Sequence, residues 1–245
     1  MPAVSQLEQT KTRRHSALVR VTHWLTFIAF IALLVTGGEI VISHPRFYWG
    51  EVGNVNTKPL FVIPIPSSRD TVPTGYGYVM PDQNGWSRYL HFEAAWVAVL
   101  TGLVYGIYGV VSGHFRKNIF PARRDWNWHA YMERIARYLR RQPPGSAEET
   151  SYNVLQRTAY VVVIFVLFPL IIWTGLAMSP AFTAAFPWTV ELLGGRQSAR
   201  TIHFIVSWLL LLFLIVHVTM VAMSGFWRRV RSMITGSLRS SEEGR

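Results

Sequence analysis

Apolar residues in this chain gather into four runs almost free of charge, at roughly 21–43, 89–112, 158–178 and 201–227. Each run is near or above the ~20 residues that a helix needs to cross a bilayer core. Helices of soluble domains are mostly shorter and carry charge on their solvent face. The pattern therefore predicts an all-α fold, an integral membrane four-helix bundle with helices at about 20–43, 88–113, 152–178 and 200–227. These make one domain over 20–227, with tails at 1–19 and 228–245 and loops at 44–87 and 114–151. Pro169 predicts a kink in the third helix. The basic, aromatic stretch from Trp126 to Arg141 reads as an amphipathic helix on the membrane surface, with Trp126, Trp128, Tyr131, Ile135 and Leu139 towards lipid. A solvated connector is the alternative. Trp24, Trp86, Trp173, Trp188 and Trp227 fall near the predicted interfaces, as an aromatic belt does. No internal repeat is evident.

Charge adds the topology. The first apolar run follows a basic segment, but it is too long for a signal peptide and lacks a small-residue cleavage site. The net charge is +11, and it is unevenly spread. With connecting segments and the helix ends that adjoin them assigned alternately to the two sides, 18 of the 24 Lys and Arg fall with the termini and the 114–151 loop (Arg20 and Arg157 at helix ends included), and 6 fall with the 44–87 loop and the segment before the last helix (Arg88 and Arg200 included). The positive-inside rule then makes both termini cytoplasmic. This asymmetry accounts for the basic excess without nucleic acid.

The absence of cysteine excludes disulfides and thiolate-held zinc or iron–sulfur centres in this chain. A redox centre here has to rest on histidine, methionine or non-covalent contacts. Of eight histidines, His23, His91, His203 and His217 lie within or at the edge of apolar helices. An ionisable group at membrane depth is a functional hypothesis by default, although each one alone is equally a histidine bonded to a neighbouring helix. Their mutual placement says more. His203 and His217 are fourteen residues apart on one helix, so they share a face in a left-handed bundle and are separated by about 21 Å. By topology His23 is level with His217 at the cytoplasmic side, and His91 is level with His203 at the outer side. Two histidine pairs at two depths match the axial ligation of two b-type haems, each iron taking one imidazole from each of two facing helices. Met178, Met220 and Met223 have no partner at matching depth. His15, His44, His114 and His129 read as surface residues.

Nearby residues fit the same picture. Gly37 stands at the depth of the outer haem, and Gly102, Gly106, Gly109 and Gly113 descend helix 2. Clearance for a porphyrin and ordinary small-residue packing both account for them. Arg20, Arg88 and Arg200 each precede a paired histidine by three residues, where they suit haem propionates or lipid phosphates.

The opening RHSALVRVTHW (14–24), continuing to the TGG at 36–38, and the stretch ARTIHFIVSWLLLLFLIVHV (199–218) resemble the bacterial two-haem cytochrome b family. That family forms the membrane subunits of nickel-iron hydrogenases, respiratory formate dehydrogenases and thiosulfate reductases. The resemblance covers the four helices but not the long 44–87 loop. It implies the same four haem ligands, His23, His91, His203 and His217. SYNVLQR (151–157) is similar to the formate dehydrogenase motif Tyr-Asn-x-Gly-Gln at a quinone site. Asn153 and Gln156 match it, and Leu155 replaces the glycine. Asn153 is equally a plausible helix N-cap.

The resulting expectation is transmembrane electron transfer between the quinone pool, menaquinone or ubiquinone, and an outer-face metal- or molybdopterin-dependent oxidoreductase subunit. The competing readings are a haem-free proton channel or transporter using the histidines and Glu93, and a stand-alone haem reductase. The aromatics of the outer loop, Tyr48, Trp49, Tyr76, Tyr78 and Trp86, suit partner docking or a cap that keeps water from the outer haem.

Overall fold

The computed structural model describes residues 16–54, 56–64, 83–121, 127–140, 154–223 and 225–236. Four helices have membrane-spanning length and apolarity: α1 (Ala17–Ser43), α2 (Gln83–Val111), α4 (Val154–Ala177) and α7 (Arg196–Met223). Between α2 and α4 lies α3 (Trp128–Leu139), and between α4 and α7 lie α5 (Pro180–Ala185) and α6 (Trp188–Glu191). The last described element is α8 (Phe226–Thr235). α1 starts three residues before the apolar pattern suggests. Ser16 caps it, its hydroxyl accepting the N–H of Val19 at 3.3 Å.

The spans form two hairpins, with α1 along α2 and α4 along α7, and few backbone positions of one hairpin come within 8 Å of the other. Apolar burial between lipid-facing helices gains little, so close approach relies on small residues. The buried positions of the first hairpin are all small: Thr22, Ala29, Thr36 and Ser43 on α1, and Ser87, Ala94, Ala98 and Thr101 on α2. The second is joined by Val163, Val206 and Leu210, onto which Phe30 of α1 packs from across the bundle.

Pro169 does not simply kink α4. The helix widens into a π-turn over Val163–Leu167, where the N–H of Phe168 bonds the carbonyl of Val163. The turn accommodates a proline that offers no N–H and crowds the preceding carbonyls. Gly109 also has a different role from the one expected. A Cβ there would lie 2.3–2.5 Å from the Phe115 ring, so it clears space for that side chain folding back from a second π-turn, Phe115–Ile119. Phe115 in turn meets Phe165 of α4, ring centres 5.1 Å apart.

Both ends of α7 are set by distant chain. At its start Gly50 O accepts from the N–H groups of Gln197 (3.0 Å) and Ser198 (3.2 Å), and Glu51 Oε2 accepts from that of Arg196 (2.9 Å). These contacts satisfy donors that a helix N-terminus leaves open, and the helix begins four residues before the expected position. Gly195 (φ +114°) permits the approach, since a Cβ there would sit 2.5 Å from Gly50 backbone. α7 ends at Met223 rather than near 227, and Gly225, at φ +91° in the left-handed region, leads into α8. The expected C-terminal tail is thus partly helical. α8 lies against the start of α1, where Trp24 Nε1 donates to Met233 O (3.1 Å) and Arg20 donates to Ile234 O.

Candidate functional site

The four helix histidines meet as two pairs. His23 of α1 faces His217 of α7 with ring centres 6.4 Å apart, near the end where α1 starts. His91 of α2 faces His203 of α7 at 6.3 Å, near the opposite end. A metal–imidazole bond is about 2.0–2.1 Å, and the ring centre lies about 1.1 Å behind the nitrogen. Two imidazoles opposed on one ion are therefore about 6.3 Å apart. The separations are those of ligands on a shared metal, and each pair bridges the two hairpins. Among the described residues no three His, Asp or Glu side chains cluster to hold an ion by themselves. A two-imidazole site needs its other donors from a macrocycle.

Hydrogen bonding orients the upper pair, His91 and His203. Thr36 Oγ1 lies 2.9 Å from His91 Nδ1, and Thr174 Oγ1 lies 3.0 Å from His203 Nδ1. The threonine hydroxyls donate to helix carbonyls one turn back, Ala32 O at 2.7 Å and Leu170 O at 2.8 Å. Each imidazole Nδ1–H is then the donor to a threonine oxygen, and each Nε2 lone pair faces the bundle. Beside these threonines, a Cβ on Gly37 would stand 3.6 Å from His91 Cε1, and one on Gly175 would stand 3.5 Å from His203 Cε1. The lower pair differs. His23 Nδ1 is buried with no hydrogen-bond partner among the described residues. His217 stacks on Phe213 (5.7 Å) and meets the edge of Tyr160 (6.3 Å).

The arginines have protein partners of their own. Arg20 holds the end of α8 through Ile234 O. Arg200 donates to His44 O and to Gln197 Oε1 (3.4 Å), and lies over the Phe47 ring at 4.8 Å. Arg88 is exposed at the start of α2. Asn153 lies outside the described residues. Gln156 is half-buried in the first turn of α4, one turn before Tyr160. Glu93 is exposed and stands about 200° round α2 from His91, so it does not join that pair.

Two histidines read as surface residues are half-buried. His44 follows α1 and is held below its ordinary pKa, first by burial and then by Arg200 and Arg88. His114 follows α2, is lowered by burial, accepts at Nδ1 from the Asn118 amide (3.0 Å) and meets Tyr105 (6.0 Å) and Tyr108 (5.9 Å). His129 is exposed and His15 lies outside the described residues.

The segment after α1 packs onto α7 beside His203. A two-residue strand pair, β1 (Arg46–Phe47) and β2 (Phe61–Val62), places Phe47 and Phe61 4.8 Å apart, and Phe47 is 4.3 Å from Phe204. Thr201 Oγ1 donates to Tyr48 O at 2.7 Å. Tyr48 is 2% exposed, which removes it from the expected docking aromatics, whereas Trp49 (60%) and Trp86 (50%) are open. Tyr76 and Tyr78 lie outside the described residues.

Four membrane-length helices set two opposed imidazole pairs between them, the arrangement expected of a membrane protein that grips a metal macrocycle between its helices. The chain belongs to the prokaryotic cytochrome b561 family, whose sequence profile matches residues 14–236. A protein of Azospira oryzae named as a protein-methionine-sulfoxide reductase subunit, YedZ1, is 30% identical over 214 residues, 85% of this chain and 90% of the relative. Proteins named as Ni/Fe-hydrogenase B-type cytochrome subunits are 26% identical in Cupriavidus necator (83% of this chain, 76% of the relative) and 23% in Azotobacter chroococcum (88% and 82%). Membership makes this chain a multi-pass bacterial membrane protein whose cofactor is b-type haem and whose work is electron transfer.

Proposed function

We propose that the chain holds two b-type haems, one on His91 and His203 at the outer side of the bacterial inner membrane and one on His23 and His217 at the cytoplasmic side. It serves as the electron-transfer subunit between the quinone pool and a separate outer-face oxidoreductase, metal- or molybdopterin-dependent, with both termini cytoplasmic. The observation that carries the reading is the pair of ring separations, 6.3 and 6.4 Å, recurring at two depths of the same helix. The residues fit the group: the upper imidazoles present Nε2, and the two hairpins stand apart except where side chains meet. Bound there, haem supplies a one-electron couple. The chain's own part is to hold four imidazoles and to surround them with apolar side chains that exclude water.

The partner class rests on what the relatives share, since all are named as subunits of an oxidoreductase. Phe47, Phe61 and Tyr48 cover α7 next to His203, which favours a shielding role for the first part of the outer loop, with Trp49 left open to a partner. For quinone, Gln156 offers an amide one turn from Tyr160, which abuts His217. Asn153 is proposed for the same role from its motif. The purified protein is expected to give a reduced-minus-oxidised b-type spectrum with two haems per chain by pyridine haemochrome. One haem per chain, or none, rejects the reading. Reduction by a quinol analogue should slow several-fold in Gln156→Ala with both haems retained.

A further inference from the structure

We propose that Thr36 and Thr174 are a matched pair of positioning residues that orient both ligands of the outer haem and bias its couple towards the ferric state. The inference rests on the two-haem reading and concerns what distinguishes one haem from the other. Both threonines are fully buried, at 0% exposure, and they sit on different hairpins. Each donates its only proton to a helix carbonyl one turn back, at 2.7 Å for Thr36 and 2.8 Å for Thr174. Each oxygen is thereby left to accept, and the imidazole nitrogens stand 2.9 and 3.0 Å away. The residue after each threonine is glycine, whose missing side chain lets Cε1 of the same imidazole lie 3.6 or 3.5 Å from where a Cβ would be. Threonine and glycine together define where the ring edge sits and which tautomer it holds. The same Thr-Gly dipeptide does this at 36–37 for a ligand on α2 and at 174–175 for a ligand on α7.

The chemical consequence follows from the direction of the hydrogen bond. An acceptor on Nδ1–H makes the imidazole a stronger donor to its metal and fixes its orientation. A stronger donor favours the more highly charged ferric ion. His23 on the other pair has no such acceptor among the described residues. The fold therefore builds an asymmetry between two otherwise similar sites, using neutral hydroxyls at membrane depth, where a carboxylate would be costly.

The test is potentiometric titration of the purified holoprotein for Thr36→Val, Thr36→Ser, Thr174→Val and Thr174→Ser, with haem content measured alongside. Valine keeps the shape and removes the acceptor; serine keeps the hydroxyl. Each valine variant should retain two haems and shift the oxidised-to-reduced equilibrium of one haem about threefold towards the ferrous form, about 30 mV upward at 59 mV per decade for a one-electron couple. The second haem should be unmoved. Both serine variants should titrate as wild type. The low-spin ferric resonance of the shifted haem should change with it, since the ring loses its anchor. If a valine variant sheds the outer haem while the serine variant keeps it at the wild-type potential, the hydroxyl is again the cause. The proposal is overturned if the valine variants keep both potentials, if both haems move together, or if serine behaves as valine does. Failure of the two-haem reading looks different, because the wild type itself would then hold fewer than two haems.

Discussion

Trp24 on α1 donates its indole N–H to the carbonyl of Met233 on α8 across 3.1 Å, joining residues 209 positions apart in the chain. The indole also stands edge-on to His23, ring centres 5.3 Å apart, so the C-terminal helix is anchored next to a histidine of the His23–His217 pair. Trp24→Phe keeps most of the ring and removes the bond, a loss of about 1 kcal/mol. Limited trypsinolysis should then cut after Arg228, Arg229 or Arg231 several-fold faster, with haem content unchanged. Equal cleavage rates would mean that α8 is held by other contacts.

The four ligands should sort by pair. His91→Ala and His203→Ala are expected to remove one haem, and His23→Ala and His217→Ala the other, so redox titrations of the four variants fall into two classes of two. A variant in the wrong class would break the pairing across the hairpins.

The segment over α7 should matter through its buried bond more than through its exposed ion pair. Thr201→Val leaves the carbonyl of buried Tyr48 without its donor, a loss of about 1–3 kcal/mol. Glu51→Gln weakens a pair to Arg196 that is 59% and 51% exposed, worth at most about 1 kcal/mol. Thermal unfolding in detergent should rank Thr201→Val as clearly the more damaging. The reverse order would locate the hold of this segment in its charges.

Gly109→Ala should destabilise, because the new Cβ would fall 2.3–2.5 Å from the Phe115 ring. Overpacking of this kind costs about 1–3 kcal/mol. Phe115→Leu alone is expected to cost stability and, combined with Gly109→Ala, to cost less than the sum of the two. Simple additivity in melting temperatures would show that the clash is relieved by other means.

Acid should destabilise the protein through His44. Its pKa is lowered by burial, Arg200 and Arg88, so the unfolded chain binds that proton more readily than the folded one. The associated stability is present above the ordinary histidine pKa of about 6.5 and is lost as pH falls through the lowered value. His44→Gln should narrow the difference in melting temperature between pH 7.5 and pH 5.5, with the part owed to His114 remaining. An unaltered difference would remove His44 from the acid response.

The sequence by itself determined the spans and which helix histidines stand level with one another. Four uncharged runs of membrane length admit little besides helices, because backbone groups in lipid must bond internally. A fourteen-residue spacing on one helix, together with the alternation of helix directions, matches His203 to His91 and His217 to His23 by depth alone. Tertiary structure decided what surrounds them. Thr36 and Thr174 look like ordinary helix threonines until α2 and α7 bring an imidazole nitrogen within 3.0 Å of each, and Thr-Gly also stands at 74–75, 101–102 and 235–236, so the dipeptide does not mark them by itself. The start of α7 could not be read from its own residues, since its first N–H groups are satisfied by Gly50 and Glu51, about 145 positions earlier. Spacing sets Arg20 and Arg200 one turn before a paired histidine, but their partners, carbonyls of Ile234 and His44, are distant in the chain. Depth and facing direction are properties of a single helix, whereas a hydrogen-bond partner across the bundle depends on how two helices pack, which no local pattern encodes.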